Sequence, residues 1–385
     1  MRLAVSSDLH LLSKTLYDNG EAFQKMYYGS DGKQIKYGEV LIDKMFAEIG
    51  RQDIDLLLLT GDLTLNGEYE SHLQIIAKLN RLKRDGLSIL VLPGNHDIRH
   101  QKARRYEGTQ SYPVDTIGEQ DFCRLYDAFG YGGAAAKDPN SLSYRWNYDE
   151  KLWILCMDNC CRKHEIPQRY GEVSEETLEW IEEQLKLARA KGAYVIAAGH
   201  YNLAYHNKLF RSGFTMKNQK QVAGLLSKYG VEVFLSGHMH MQHMEEADGI
   251  LDIATSSPCT YPHQYGMFEI WEQGKYQYQT RQITLSRKDK ADYRRFYYNN
   301  FVRQVSEELE EIDGIPSVEK IEMAVYAARL NLYYFSGSLY QISDKVPTSH
   351  SWRLWQKYGN HLFFYSYMQS MLQDSMRDHN HYRKG

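Results

Sequence analysis

Cysteine is scarce and unevenly placed. The 385 residues hold five, Cys123, Cys156, Cys160, Cys161 and Cys259. That odd set matches neither a disulfide framework nor the paired Cys-x-x-Cys spacing of a zinc finger. Reduced thiols, and with them a cytoplasmic location, are the expectation. Long hydrophobic runs are also missing: nothing approaches the ~20 apolar residues of a membrane-spanning helix. At the N-terminus only Arg2 precedes the apolar Leu3–Val5, which Ser6, Ser7 and Asp8 interrupt at once, so no secretory signal is read there. Charge of one sign is lacking too. A net charge of -3 leaves no basic footprint for nucleic acid or anionic lipid. Neither nucleic acid nor membrane is expected as a partner.

The composition that remains is globular, 43% hydrophobic and 25% charged, and the length suits a catalytic core plus an accessory piece. Tyrosine is abundant, at 31 residues, and reads as packing and surface amphipathicity. Short apolar runs at Leu3–Val5, Ile54–Leu59, Ser88–Leu92, Ala193–Ala198 and Val231–Leu235 fit strands covered on both faces. Helical patterns fall between them, at Gly38–Gly50, Glu70–Arg84, Ser174–Lys191 and Lys217–Lys228. Ser174 suits an N-cap and Gly192 a helix stop. Leu142–Met157 reads as an antiparallel hairpin turning at Asp149 and Glu150. Ile250–Ala254 and Gly266–Thr280 add strands. The sum is an α/β core of two mixed sheets with helices outside, over residues 1–285.

Near Ser286 the character changes. Apolar spacing becomes helical and strand signals stop, so residues 286–385 are expected to form a helical accessory domain. Its end, His379-Asn380-His381, reads as a frayed polar tail. The aromatic cluster of Trp352, Trp355, Phe363, Phe364, Tyr365 and Tyr367 demands burial. The domain either leans over the core as a lid or joins two copies into a homodimer.

Five short motifs each come directly after a strand candidate: Ser7-Asp8-Leu9-His10, Gly61-Asp62, Gly94-Asn95-His96-Asp97, Gly199-His200 and Gly237-His238-Met239-His240. Singly they are weak. As a set they put Asp, Asn and His at strand ends, where ligand sites form in open α/β sheets. Imidazole, carboxylate and amide donors without thiolate favour Mn, Fe, Zn or similar ions. Two such ions about 3.5–4 Å apart can clamp the attacking and leaving oxygens of an in-line displacement and lower the pKa of a bound water toward ~7.

In this the sequence resembles the calcineurin-like metallophosphoesterases, whose pattern runs D-x-H, G-D, G-N-H-[DE], H, G-H-x-H. The resemblance spans about residues 1–280. It implies the αββα fold of that family and two divalent or trivalent metal ions. The first would be held by Asp8, His10, Asp62 and His240, the second by Asp62, Asn95, His200 and His238, with Asp62 bridging. His96 would act on the leaving group as general acid or transition-state stabiliser, and Asp97 would orient it or cap the next turn. Gly61-Asp62-Leu63-Thr64-Leu65-Asn66-Gly67, Leu92-Pro93-Gly94-Asn95-His96-Asp97 and Ala254-Thr255-Ser256-Ser257 with Tyr261-Pro262-His263 look like the class III cyclic-nucleotide phosphodiesterase branch. A departure is Gly199-His200-Tyr201-Asn202, where many members carry His-His-Pro.

The expected reaction is hydrolysis of a small phosphodiester, such as a cyclic nucleotide, by a metal-bridging hydroxide. The alternatives are a phosphatase acting on a phosphomonoester or phosphoprotein, and a catalytically silent metal-binding scaffold working through its helical tail. His206 reads as a contact to a substrate phosphate or to a carboxylate behind the site, or as an ordinary loop histidine, and His263 as part of the pocket wall. His243 reads as structural or exposed, His72 as a surface residue, Asp158 and Asn159 as a turn or as supports behind the site. Arg162, Lys163 and His164 read as a solvated loop. The long Leu12–Tyr37 stretch is expected on the substrate rim. His100, Arg104 and Arg105 read as phosphate-holding cations or a surface charge run.

Overall fold

The computed structural model describes residues 1–83, 86–160, 170–374 and 377–385. Along the chain the strands are β1 (Arg2–Ser6), β2 (Leu56–Thr60), β3 (Ser88–Leu92), β4 (Arg104–Glu107), β5 (Gln110–Pro113), β6 (Ala136–Lys137), β7 (Tyr144–Asn147) and β8 (Leu152–Cys156). They continue with β9 (Tyr194–Ala198), β10 (Val233–Ser236), β11 (His243–Ala247), β12 (Ile250–Ala254), β13 (Gln264–Glu272), β14 (Lys275–Gln282) and β15 (His381–Lys384). The helices are α1 (Glu21–Tyr28), α2 (Gly38–Gly50), α3 (Tyr69–Leu82), α4 (Glu119–Leu125), α5 (Glu175–Lys191), α6 (Gln219–Lys228), α7 (Arg287–Glu310), α8 (Ser317–Phe335), α9 (His350–Tyr358) and α10 (Phe363–Gln373).

Two mixed sheets result. One runs β15-β14-β13-β1-β2-β3, the other β11-β12-β10-β9-β8-β7-β6, and β4 and β5 form a separate hairpin. β1, β2 and β3 are parallel, as are β12, β10, β9 and β8. The antiparallel strands flank these parallel centres. The side-chain period of two explains the layering. In the second sheet Ile154, Ile196 and Leu235 share one face and join Leu57, Leu59 and Val91, which share a face of the first sheet, in one core. Trp153, Leu155, Val195, Ala197 and Phe234 point outward and pack under α5 and α6. Leu41, Met45 and Ile75 of α2 and α3 cover the first sheet. The α/β architecture with two sheets between helices is the one expected.

The expected helix starts and stops also appear. The Ser174 hydroxyl accepts from the Thr177 amide, and Gly192 ends α5 in the left-handed region at φ 61°. Arg84, the expected end of α3, lies outside the described residues.

Beyond residue 286 the chain forms α7–α10 around a third core. Trp355 is fully buried there, and its Nε1 donates to Met323 O at 3.0 Å. Met239 and Met241, from the loop after β10, belong to the same core. The helices therefore pack directly beside the last sequence motif.

The end of the chain is not frayed. β15 pairs antiparallel with β14. Buried Asn380 donates to Ser336 O and Gly337 O at 2.9 and 3.1 Å and accepts from Thr280 and Gln264. Four polar residues give no periodic signal, but an open edge at β14 supplies the backbone partners that a lone strand lacks. No helix among the described residues is long and apolar enough to cross a membrane.

Trp355→Ala should lower unfolding free energy by about 3–5 kcal/mol, read as a reduced urea midpoint, because it empties the centre of the third core.

Candidate metal centre

The five motifs sit at the carboxyl ends of β1, β2, β3, β9 and β10, so each sheet aims parallel strands at one crevice. Asp8, His10, Asp62 and His240 form one group of converging donor atoms, and Asp62, His200 and His238 form a second. His10 Nε2 lies 2.9 Å from His240 Nε2, and His240 Nε2 lies 3.3 Å from Asp8 Oδ1. In the second group His200 Nε2 is 3.0 Å from Asn95 Oδ1 and 3.2 Å from His238 Nδ1. The groups meet at Asp62 Oδ2, which is 3.7 Å from His10 Nε2 and 3.4 Å from His200 Nε2.

The crowding needs unusual backbone. Asp8, His10, Asp62, His238 and His240 all adopt positive φ, from 43° to 67°. Each such non-glycine residue costs of order 1 kcal/mol. Glycine is required where the loops touch. A Cβ at Gly94 would overlap Asp62 Oδ1, and one at Gly237 would overlap Ser7 Oγ.

Hydrogen bonds set which nitrogen each ring presents. His200 Nδ1 donates to Thr60 O at 2.9 Å, and His238 Nε2 donates to Gly213 O at 2.8 Å. Their opposite nitrogens face the Asp62 carboxylate, the orientation that metal ligation requires. His96 Nδ1 donates to Leu65 O at 2.8 Å, leaving Nε2 for the crevice, and the His96 amide donates to Asp62 Oδ1 at 2.8 Å.

Electrostatics supports the same reading. Burial opposes ionisation of Asp62, but the neighbouring His200 and His96 outweigh it and hold the carboxyl well below its usual range. Burial likewise opposes Asp8, which His240 brings below its ordinary value. Burial, reinforced by His200, pushes His238 down to about 3. For His200 burial is outweighed by Asp62, and its value rises to about 9. Asp8 Oδ1 is buried with no hydrogen-bond partner. Ionised carboxylates, inward-facing imidazole nitrogens and an orphaned oxygen, all converging, make a donor set that fits metal ions.

The other expected site residues fall in several places. Asp97 is fully buried, and its carboxylate accepts from the Gly94, Leu63 and Thr64 amides and the Thr64 hydroxyl. It staples the Asp62 loop to the Asn95 loop and is a positioning residue. His206 is buried, with Nε2 3.1 Å from Asp252 and Nδ1 3.1 Å from His243. Those partners lie outside the two ligand groups. His263 is buried under Tyr293 of α7, and its Nδ1 donates to Pro258 O.

The reading of His72 as a surface residue needs correction, while His243 takes the structural of its two readings. His72 is wholly buried, between the Tyr126 hydroxyl and Asp97 O. His243 is buried and stacked on His379 at 3.8 Å. Asn159 is more than a turn residue: its Oδ1 accepts from the His200 and Tyr201 amides and its Nδ2 donates to Tyr201 O, fixing the loop that carries a ligand. Its position after β8, level with the other motifs, was the available signal. Arg104 and Arg105 lie on the β4–β5 hairpin, where Arg105 pairs with Glu107. His100 stacks on His96, with ring centroids 4.6 Å apart. Arg162, Lys163, His164 and Cys161 lie outside the described residues.

Lys33 carried no sequence signal. It lies on the 12–37 segment; burial lowers the imidazoles of His10 and His96 against the raising effect of Asp62, and the Lys33 charge adds a smaller lowering, for His10 behind that of His240.

The model of the calcineurin-like phosphoesterase family matches residues 1–242. The chain belongs to that family. A second model, the C-terminal domain of cyclic nucleotide phosphodiesterase, matches residues 290–378. This phosphoesterase is 24% identical over 210 residues to a 3',5'-cyclic-nucleotide phosphodiesterase of Nostoc sp., covering 54% of this chain and 64% of that protein. It is 24% identical over 190 residues to a probable cyclic nucleotide phosphodiesterase of Moraxella catarrhalis, covering 49% and 59%. The matches thus take in less than two thirds of either relative. A shorter match, 35% over 97 residues, links it to tartrate-resistant acid phosphatase type 5 of Rattus norvegicus, covering 24% and 27%. Among solved structures, a dimetal phosphatase from Danio rerio shares the fold at a TM-score of 0.53 and 13% identity, over 74% of this chain and 96% of that one.

Gly94→Ala should bind far less manganese than the parent, by elemental analysis, with an unchanged far-ultraviolet spectrum. Gly224→Ala, where a Cβ meets nothing, should retain full metal.

Proposed function

We propose that this chain hydrolyses a small phosphodiester, such as a cyclic nucleotide, at a two-metal centre. The observation that carries the reading is Asp62, shared by two separate groups of ligand atoms. The names of the Nostoc and Moraxella relatives and the match at residues 290–378 support the substrate class. Manganese, iron or zinc suits the nitrogen and oxygen donors. Bound there, the two ions would supply Lewis acidity and an activated water.

The residues themselves do the rest. Asp62 and the imidazoles fix the site's charge before substrate arrives, the preorganisation on which electrostatic catalysis depends. His96 presents Nε2 beside the first group, with its ring edge-on to His10 at 5.1 Å. An anionic phosphoryl group next to Nε2 favours the imidazolium, which can then protonate the departing alkoxide. Asp97 and Asn159 hold the loops in register.

The acid phosphatase match, short but of higher identity, favours a second reading in which the substrate is a phosphomonoester. A panel of cyclic nucleotides, bis-p-nitrophenyl phosphate and p-nitrophenyl phosphate at fixed manganese separates the two. Diesters should be cleaved faster. His96→Ala should lose roughly 100-fold or more in kcat while keeping its metal. Asp62→Asn should lose both activity and metal, and full activity in that variant would sink the two-metal reading.

A further inference from the structure

A carboxylate that no step of the proposed reaction uses is buried behind the metal centre. Asp252 stands in β12 between Leu251 and Ile253 and is fully covered. A buried carboxylate is unfavourable unless donors meet its oxygens. The strand that carries it contributes nothing to either group of converging donors, and no sequence motif surrounds it.

Its oxygens are committed to the two loops that bear the imidazoles of the second group. Oδ2 accepts from the Leu203 and Ala204 amides at 2.6 and 2.8 Å, in the loop after His200. Oδ1 accepts from the Ser236 hydroxyl at 2.6 Å, two residues before His238. Asn202 closes the circuit: its Nδ2 donates to Ser236 Oγ at 2.8 Å and to Gly237 O at 3.1 Å. The Gly237 amide in turn donates to His200 O at 3.0 Å. The loops leave different strands, β9 and β10, and this ring of bonds fixes the offset between them. His206 Nε2 stands 3.1 Å from Asp252 Oδ2, so of the roles open to that histidine it takes the one beside a carboxylate behind the ligand loops.

The circuit acts unequally on the two groups. Both imidazoles of the second group, His200 and His238, stand on the tied loops. In the first group only His240 does, and it lies further along the chain from Ser236. All three hydrogen bonds to Asp252 require it to accept. A carboxylate accepts with both oxygens, a carboxamide with one, and an aliphatic side chain with none.

We propose that Asp252 is a positioning residue for the second metal ion, holding the His200 and His238 loops at the spacing that ion requires. This rests on the two-metal reading of the Asp62 centre.

The test titrates manganese into the full chain and its variants, reading stoichiometry by elemental analysis and ion pairing by electron paramagnetic resonance. The parent should bind two ions and show a spin-coupled pair. Asp252→Leu should keep the first ion, bind the second about 10–100-fold more weakly, and show isolated ions at the same total manganese. Asp252→Asn, which retains one accepting oxygen, should recover part of the lost affinity. Asn202→Ala should also weaken the second ion and serves if Asp252→Leu does not fold. Asp138 is the control, a buried carboxylate bonded to Asn140, Ser141 and Thr177, none of them on a ligand loop. Asp138→Leu should bind as the parent does. A second ion held at parental affinity in the folded variants, equal loss of both ions, or the same loss in Asp138→Leu overturns the role of Asp252 and leaves the two-metal reading standing. A parent that binds only one ion refutes that reading, and the proposal with it.

Discussion

One carboxylate oxygen organises this molecule. Asp62 Oδ2 lies within 3.7 Å of an imidazole from each sheet, His10 from the first and His200 from the second. Bringing those donors together is unfavourable until they are paired, and the pairing arises where the parallel centres of the two mixed sheets end at one crevice. Five of the converging donor residues in left-handed backbone mark the strain. The buried strands that frame them, such as the wholly buried Leu56–Leu59 run, supply the rigidity that sustains it. Asp97 and Asn159 convert that rigidity into loop geometry by committing their polar atoms to backbone groups.

Most of the core was legible in the sequence because its signals are local. Four consecutive leucines ending in Thr60-Gly61-Asp62 announce both a buried strand and the ligand-bearing turn at its end. The same holds for β3 with Asn95 and His96, and for β9 with His200. The donor set could be read because each donor stands within a few residues of its strand.

The features that escaped the sequence depend on contacts distant in the chain. His72 has the setting of a surface helix residue, and only the position of Tyr126 makes it a buried one. Lys33 has no motif around it; the segment that carries it is held by the pairing of Gln34 with Cys259, far along the chain. Residues His381–Lys384 are polar and few, and become a strand only because β14 offers an edge. The helical domain was visible as a periodicity, but its seat against Met239 and Met241 was not.

That last strand has a mechanical meaning. The helical domain leaves the first sheet from β14 and returns to it at β15, the neighbouring strand. It is a handle fixed at both ends, and not an arm on one pivot. Swinging it away from the crevice would mean peeling a strand from the sheet as well as unpacking Trp355 and its neighbours. The helices thus stay in place as a fixed wall beside the crevice.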